Sequence, residues 1–445
     1  MRNFDPNCTD MTLLKSKYRT IVTLLFLTPL LCFSQSRLWH DIHRSVRYRP
    51  VGSEFVNING DKRFSRAIYG TNTGFRFETS DYPEFGLYMP NLGGSVYLAV
   101  CRGEQAVWVN RLKWVESRFE PGKRTYTLKD AELLGKGRLR ITALALPDAD
   151  GLIVRTQAEK LPADVRLVWV YGSASDKRFS RNGDIGADPA DCFWMAPSKC
   201  KGNVFDLHAN VFSLNYGKNR KISGLFSANT SLKIADANLL SDLGRLLRSD
   251  SSDTPLLLAS QDNMNGTSHW VLYNPETHSD YTETQLAEVY SQAETFRAGI
   301  AGRVRIQTPD PFFNTLGGIL SGAEDAVWES PSYLHGAIGW RVPFPGWRAS
   351  YLADVLGFHD RARLHFDGYA HAQVTDIPVS LPHTQDPQCN LSRSEKTWGT
   401  PMYSNGYISR FPNKTDDMNH YDMNLVYIDE LLWHLNWTGD WAYAR

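Results

Sequence analysis

Tyr421-Asp-Met-Asn-Leu-Val-Tyr-Ile-Asp-Glu-Leu-Leu-Trp-His-Leu435, followed by Thr438-Gly-Asp440 and Trp441, decides how the second half of this chain is read. Its apolar residues recur at helical spacing. A turn holding Gly and Asp follows, and then the start of another helix. The same construction stands earlier, where Gly346-Trp-Arg-Ala-Ser-Tyr-Leu-Ala-Asp-Val-Leu356 runs into Gly357-Phe-His-Asp360 and a helix from Arg361 to Gln373. Each is an αα-hairpin with a tight turn, and Asp360 and Asp440 are expected to cap the second helices. The connections entering the hairpins are long, roughly residues 329–346 and 374–420. Both enter at the N-terminal end of a first helix, so both fall on one face of the array, with the tight turns opposite. Long connections without structure of their own are commonly functional, and geometry places a site on their side.

Upstream, Thr308-Pro-Asp-Pro311 offers Asp310 as an N-cap and Pro311 as a first helical residue. A helix is expected from Phe312 to about Trp328, with an apolar stripe of Phe312, Leu316, Ile319, Leu320, Ala323 and Val327. Leu286–Phe296 reads as a linker helix and Gly302–Ile306 as a last strand. From about Arg37 to Arg305 the texture is short and alternating. Ser95–Val100, Ala106–Val109, Leu139–Leu146, Leu152–Thr156 and Val165–Tyr171 read as strands, punctuated by Gly, Pro, Asn and Asp. Many such strands imply a large antiparallel sandwich. Asp61-Lys-Arg-Phe-Ser-Arg66 recurs unchanged as Asp176-Lys-Arg-Phe-Ser-Arg181, within different flanks. The pair is either two similar strand ends or two Arg-bearing loops at one end of the sandwich.

Bulk composition narrows the class. The 445 residues suffice for two domains with full cores. With 22% charged and 42% hydrophobic residues, wholesale disorder is excluded. Lys+Arg and Asp+Glu are both 48, and a net charge of zero argues against a nucleic-acid partner held by a basic field. Thirteen Trp and twenty Tyr supply flat faces for sugar rings, and equally well for a protein core. Lys15–Arg19 carry three positive charges, Ile21–Phe33 is an apolar run, and Ser34-Gln-Ser36 offers small and polar cleavage positions. That order is a secretory signal, too short for a bilayer span, with Met11 as an alternative start. Cys32 follows Leu-Leu, whereas a small residue normally precedes a lipidated Cys. No second run of membrane length follows. Cys101, Cys192, Cys200 and Cys389 remain after export. Cys192 and Cys200, eight apart, are either a disulfide or two half-buried thiols, and the spacing fits no zinc site.

The TPDP entry at 308–311, the YDMN helix start at 421–424 and the WTGD turn at 437–440 resemble the six-hairpin glycosidase superfamily. The segments RFSRAIYGTNTGF (63–75), PEFGLYMP (83–90) and FSRNGDIGADP (179–189) are similar to a secreted bacterial family known only as a domain of unknown function. The resemblance implies an antiparallel β-sandwich followed by a partial (α/α)6 barrel. Residues 1–36 would be a signal peptide, 37–285 the sandwich, 286–310 a linker and 311–445 an incomplete catalytic-type barrel. Twelve helices make such a barrel, and the chain ends at Arg445 as the fifth begins. The resemblance therefore implies that more than half of the barrel, and in many relatives one catalytic carboxylate, lies outside it.

Glycoside hydrolysis needs two carboxyl groups across the scissile bond. On the long-loop face the candidates are Glu329, Asp376, Asp386, Glu395, Asp416, Asp417 and Asp422. Asp422 is taken as catalytic because it opens a first helix of the array at the expected site, although a carboxylate there also stabilises a helix start. Asp354 and Asp429, deeper in the helices, are read as hydrogen-bonding partners. His335-Gly-Ala-Ile-Gly-Trp340-Arg-Val-Pro-Phe-Pro-Gly-Trp347-Arg348 is the most site-like loop. Trp340 beside Arg341 and Trp347 beside Arg348 offer stacking faces and donor forks for an anionic sugar, or pack under the loop. Tyr421 and Asn424 either bond sugar hydroxyls or complete a helix cap. No phosphate-cradling Gly loop, Ser nucleophile elbow or zinc helix is present, so no cofactor and no metal are expected.

The expected activity is acid/base hydrolysis of a plant or bacterial oligosaccharide or polysaccharide by a secreted or periplasmic protein without a stable membrane span. A non-catalytic carbohydrate-binding form is one alternative. A polysaccharide lyase using His335, Tyr421 and Arg348 is another, though lyases commonly place the sheet domain after the helices. Export is expected to remove the signal between Phe33 and Arg37. N-terminal sequencing of the secreted protein checks this, and a retained Met1 or Met11 would refute it.

Overall fold

The short alternating segments pair into two antiparallel sheets. One has ten strands in the order β1 (Arg49–Val51), β2 (Glu54–Ile58), β8 (Trp114–Glu120), β9 (Lys123–Lys129), β10 (Arg138–Ala145), β11 (Gly151–Glu159), β18 (Gly266–Tyr273), β15 (Arg220–Phe226), β14 (Val211–Tyr216) and β13 (Val204–His208). The other runs β16 (Thr230–Asp236), β17 (Pro255–Gln261), β12 (Val165–Gly172), β6 (Ser95–Arg102), β5 (Phe85–Tyr88), β4 (Arg76–Thr79) and β3 (Ile68–Tyr69), with β7 (Gln105–Trp108) also paired to β6. The computed structural model describes residues 46–63, 66–89, 93–172, 174, 190–250, 253–262, 264–337, 341–346, 350–375, 385–386, 391–392, 406–415 and 421–444. The expected signal segment, the second hexapeptide at 176–181 and Cys389 lie outside these residues. Residues 48–445 form one compact unit.

The sandwich core lies between the sheets, where Leu139 and Ile141 of β10 and Leu152 and Val154 of β11 meet Leu98 and Val100 of β6 and Leu167 and Trp169 of β12. Trp169 meets Trp270 of β18 edge to face at 5.0 Å. The outer faces are covered as well. Leu144, Ile153 and Val271 lie under helix α2 (Leu286–Ala301), and Ala99, Val168 and Val170 lie under α1 (Leu243–Arg248). Burial on both faces explains why LRITALAL and VRLVWVY read as nearly continuous apolar runs rather than strict alternations. The stretch read as a linker helix is thus bedded on the ten-stranded sheet through Leu286, Tyr290 and Ala293. Cys101, Cys192 and Cys200 are buried thiols, so the disulfide reading of the 192–200 pair is not met.

The region that follows is helical. After a single 3-10 turn at Phe313–Thr315 come α3 (Leu316–Ala326), a two-residue hairpin of β19 (Trp328–Glu329) and β20 (Ser332–Tyr333), α4 (Ser350–Ala353), α5 (His359–Ala370) and α6 (Tyr421–Thr438). Gly357 and Gly439 sit at φ +77° and +71° in the two tight turns, a conformation that favours glycine. Asp310 accepts from the backbone N–H of Phe312 at 2.8 Å but caps no helix, since the 3-10 turn starts from Phe312 and α3 from Thr315. Asp440 accepts from Tyr443 N at 3.2 Å within a turn over residues 441–444, which is not a helix.

Three further expectations are corrected. Residues 302–306 are not a strand. They cross from α2 to α3, and Gly317 packs so closely on Val304 that a Cβ there would come within 2.4 Å of the Val304 carbonyl oxygen. Asp360 does not cap α5, because the helix already begins at His359 and Asp360 falls inside its first turn. The apolar stripe is only partly buried: Phe312, Leu316 and Leu320 are exposed and Ile319 and Val327 half-buried, while Gly317, Ser321, Glu324 and Asp325 of α3 are buried. An ionic seam against the sandwich sets this orientation. Asp325 accepts from Arg297 of α2 at 3.3 Å, from Arg361 of α5 at 2.8 Å and from the Thr71 hydroxyl at 2.6 Å. Arg297 also donates to the carbonyls of Ala145 and Leu146 at the end of β10. Burial pushes the Arg297 guanidinium down only to about 10, so it stays charged at neutral pH.

Removing one partner of a buried ionic cluster leaves uncompensated charge, at a cost of about 3–5 kcal/mol. Asp325→Ala strands both Arg297 and Arg361, and the expected result is a loss of that size, measured by urea unfolding followed through tryptophan fluorescence. A loss under about 1 kcal/mol, as an ordinary surface pair would give, would show that the seam does not hold the helices to the sandwich.

Candidate functional site

The 329–346 strap starts at the β19–β20 hairpin and is tied down by Arg341. Its guanidinium donates to the carbonyls of Ala326 at 3.1 Å, Ala337 at 3.2 Å and Thr73 at 2.9 Å, and to Glu329 at 2.7 Å. Arg341 therefore fastens the strap to α3 and to the sandwich, and Glu329, the first of the candidate carboxylates, is its ion partner. The backbone N–H of His335 donates to Val342 at 2.9 Å, and its ring meets Phe344 edge to face at 5.1 Å. At the far end Gly346 lies against α6, where an added Cβ would meet Tyr427 N at 2.9 Å. The strap thus runs from the sandwich to the first half of the helix that Asp422 opens.

Asp422 stands exposed in the first turn of α6 and makes no hydrogen bond among the described residues. Tyr421 is the first residue of that helix. Asn424 clamps a neighbouring segment, its Oδ1 accepting from Ile408 N at 2.7 Å and its Nδ2 donating to Ile408 O at 3.3 Å, which is a structural use of the amide. Asp386 lies in a two-residue strand, Gln385–Asp386, paired with Leu391–Ser392. Trp340, Trp347, Arg348, Asp376, Glu395, Asp416 and Asp417 lie outside the described residues. Asp429 accepts from the Tyr351 hydroxyl at 2.9 Å. Asp354 bonds Nδ1 of His359 at 2.7 Å and of His434 at 2.9 Å.

Between the helices lies a polar interior that reading the sequence missed. Glu324 of α3 is 2% exposed, and burial pushes its carboxyl well above the usual carboxylate range, with Glu430 and Asp325 adding and Arg361 opposing. Ser350 of α4 donates to Glu430 of α6. The signal lay in Leu316-Gly-Gly-Ile-Leu-Ser-Gly322, since small residues mark the face of a helix that approaches its neighbours closely. Gly318 indeed sits where a Cβ would be 3.1 Å from both the Ala301 carbonyl and Pro121.

His365 of α5 clasps both ends of the strap. Its Nε2 donates to the Pro345 carbonyl at 3.1 Å, and its Nδ1 accepts from the backbone N–H of Tyr333 at 3.2 Å. A carbonyl can only accept and a backbone N–H can only donate, so the neutral Nε2–H tautomer is required. Burial pushes its pKa down from 6.5 to about 4. A histidine lowered in the folded state contributes stability above its unfolded pKa, and that contribution is lost as pH falls through the folded value. Roughly 3 kcal/mol should therefore disappear between about pH 6.5 and 4, at about 1.4 kcal/mol per pH unit. Denaturant unfolding over that window should show a slope in the natural chain that His365→Gln flattens, and parallel profiles would refute the assignment.

Comparison with known proteins gives a family and a distant structure. The family model described as Domain of unknown function (DUF4450) matches residues 89–294, just under half of the chain. No curated protein is significantly similar. Among solved structures, one described as "Putative kojibiose phosphorylase from human microbiome" aligns at 10% identity and a TM-score of 0.34, over 74% of this chain and 50% of that one. The chain therefore spans about half the length of that protein, and a likeness this low carries no argument about fold or activity. What these comparisons identify is similarity, over residues 89–294, to a family described only as a domain of unknown function.

Proposed function

We propose that the chain is a secreted carbohydrate-active protein of glycoside hydrolase type, exported by a signal within residues 11–36, whose helical region is part of an (α/α)6 barrel. The substrate class is a plant or bacterial oligosaccharide or polysaccharide. The observation that carries the reading is the place of Asp422. It is a solvent-facing carboxylate in the first turn of α6, on the helix where the strap from the sandwich ends at Gly346. A carboxylate open to solvent at such a place suits the base or nucleophile of glycoside cleavage, which needs a second carboxyl roughly 5–10 Å away. One αα-hairpin, α4 and α5 about Gly357, and the Gly439 turn that ends α6 support the same reading, behind an antiparallel sandwich. Arg341 is not the anion fork, because its donors already hold the strap.

One observation favours non-catalytic carbohydrate binding for residues 37–445 taken alone. Leu425, Ile428, Leu432, Trp433 and Trp437 along α6 are exposed, as are Phe312, Leu316 and Leu320 beside α3. Each large apolar side chain left in water forgoes roughly 1.5–3 kcal/mol, against about 5–15 kcal/mol for a whole domain. A helical region with open flanks holds a cleft loosely. The test assays residues 37–445, and a form extended by further helices of the barrel, on aryl-glycosides and polysaccharide oligomers. Hydrolysis is expected in the extended form, reduced at least about 100-fold by Asp422→Asn, with little in residues 37–445. Equal activity in both forms would refute the binding-only reading. An extended form indifferent to Asp422→Asn would remove Asp422 from catalysis.

A further inference from the structure

A second site stands on the sandwich, beside α1. On the outer side of the eight-stranded sheet, Tyr97 of β6 and Trp108 of β7 meet edge to face at 5.8 Å. With Tyr82, Glu84, Asn110 and Leu240 they line a pocket of about 150 Å³. That is far more than the roughly 10–15 Å³ that admits one water, and less than the roughly 300–1,000 Å³ of sites for drug-sized ligands. The occupant is therefore the size of one small ring. Tyr82, Tyr97 and Trp108 are only half-buried, so part of their aromatic surface stays exposed.

The polar groups define its chemistry. Asn110 Oδ1 is buried and has no hydrogen-bond partner among the described residues, a state that costs about 1–3 kcal/mol unless something donates to it. The Tyr97 hydroxyl accepts from Met195 N at 3.1 Å, which leaves its own proton to give. Glu84 is held in a bidentate pair by Arg63, at 2.6 and 3.1 Å, so the pocket carries no net charge to attract an anion. Arg63 also lies 5.3 Å from the Tyr82 ring centroid, which fixes that wall. Apolar aromatic walls beside an acceptor and a donor, with the charges neutralised, match one ligand class. A pyranose ring presents C–H faces to stack and hydroxyls that both give and take hydrogen bonds.

We propose that this pocket is a binding site for a single neutral pyranose unit, separate from the Asp422 site and able to anchor a glycan to the sandwich. The test is saturation-transfer NMR and calorimetry on the secreted protein with methyl glycosides of glucose, galactose, mannose, rhamnose and fucose, and with glucuronate as the charged control. At least one neutral glycoside is expected to saturate a single site, with glucuronate not binding there. Asn110→Ala and Trp108→Ala should each weaken it about tenfold or more, while Asp422→Asn leaves it unchanged. Circular dichroism checks that the variants fold, and if Trp108→Ala does not, Asn110→Ala decides alone. Failure of every neutral glycoside to saturate, binding indifferent to Asn110→Ala, or binding abolished by Asp422→Asn would each overturn the proposal. The last result would move the sugar to the helical site without touching the reading of that site.

Discussion

Asp325, itself nearly fully buried, holds two arginines, and α2, α3 and α5 meet at that contact. Arg297 comes from the helix bedded on the ten-stranded sheet, Arg361 from α5, and Thr71 from a sandwich loop. A charge in such surroundings has no inexpensive alternative partner, because the effective penalty of taking an ion out of water is several kcal/mol. The two carbonyls at the end of β10 complete the shell around Arg297. The sandwich edge, α2, α3 and α5 are thereby fixed to one another by directional bonds, beside an apolar cluster in which Ile300 of α2 meets Trp328 and Ala362 and Phe366 of α5.

That constraint bears on how α3 lies. With Asp325 committed to the arginines, the face of small residues must lie against Pro121, Ala301 and Val304, and Leu316 and Leu320 of the same helix point away. Hydrophobic burial normally orients a surface helix. Here one buried carboxylate with several partners offsets it: leaving Asp325 unpaired would cost about 3–5 kcal/mol, a sum comparable to the most that burying Leu316 and Leu320 could return, at roughly 1.5–3 kcal/mol each, and both are only partly exposed.

The strap inherits its course from the same place. Arg341 reaches back to Ala326 and to Thr73, next to the ends of the ionic seam, and His365 on α5 holds residues 333 and 345 together. The loop that the sequence marks as site-like is therefore partly a fastening. What it brings forward is its far end, at Gly346 on α6. The sandwich pocket depends on none of this, since its walls come from adjacent strands β6 and β7 and the turn before β5.

Reading the sequence by itself determined the elements that rest on local rules. Strand segments came from apolar runs between turn residues, and the tight turns from Gly357 and Gly439, because each depends on the backbone preferences of a few neighbouring residues. The candidate Asp422 was legible for the same reason, as an acidic residue at a helix start. What only the tertiary structure decided were the relations between distant residues. Arg341 looked like a ligand fork and proved to be a staple, because its four acceptors are carbonyls and a carboxylate contributed by Thr73, Ala326, Glu329 and Ala337. Gly302–Ile306 looked like a strand, but strand formation needs a partner edge, and these residues instead cross to α3. The buried Glu324 and the pocket around Asn110 left no periodic mark, since burial and convergence are properties of the packed chain. Side chains far apart in sequence meet only after the sheets and helices have chosen their faces, and in the helical region buried charges such as Asp325 share that choice with the apolar clusters.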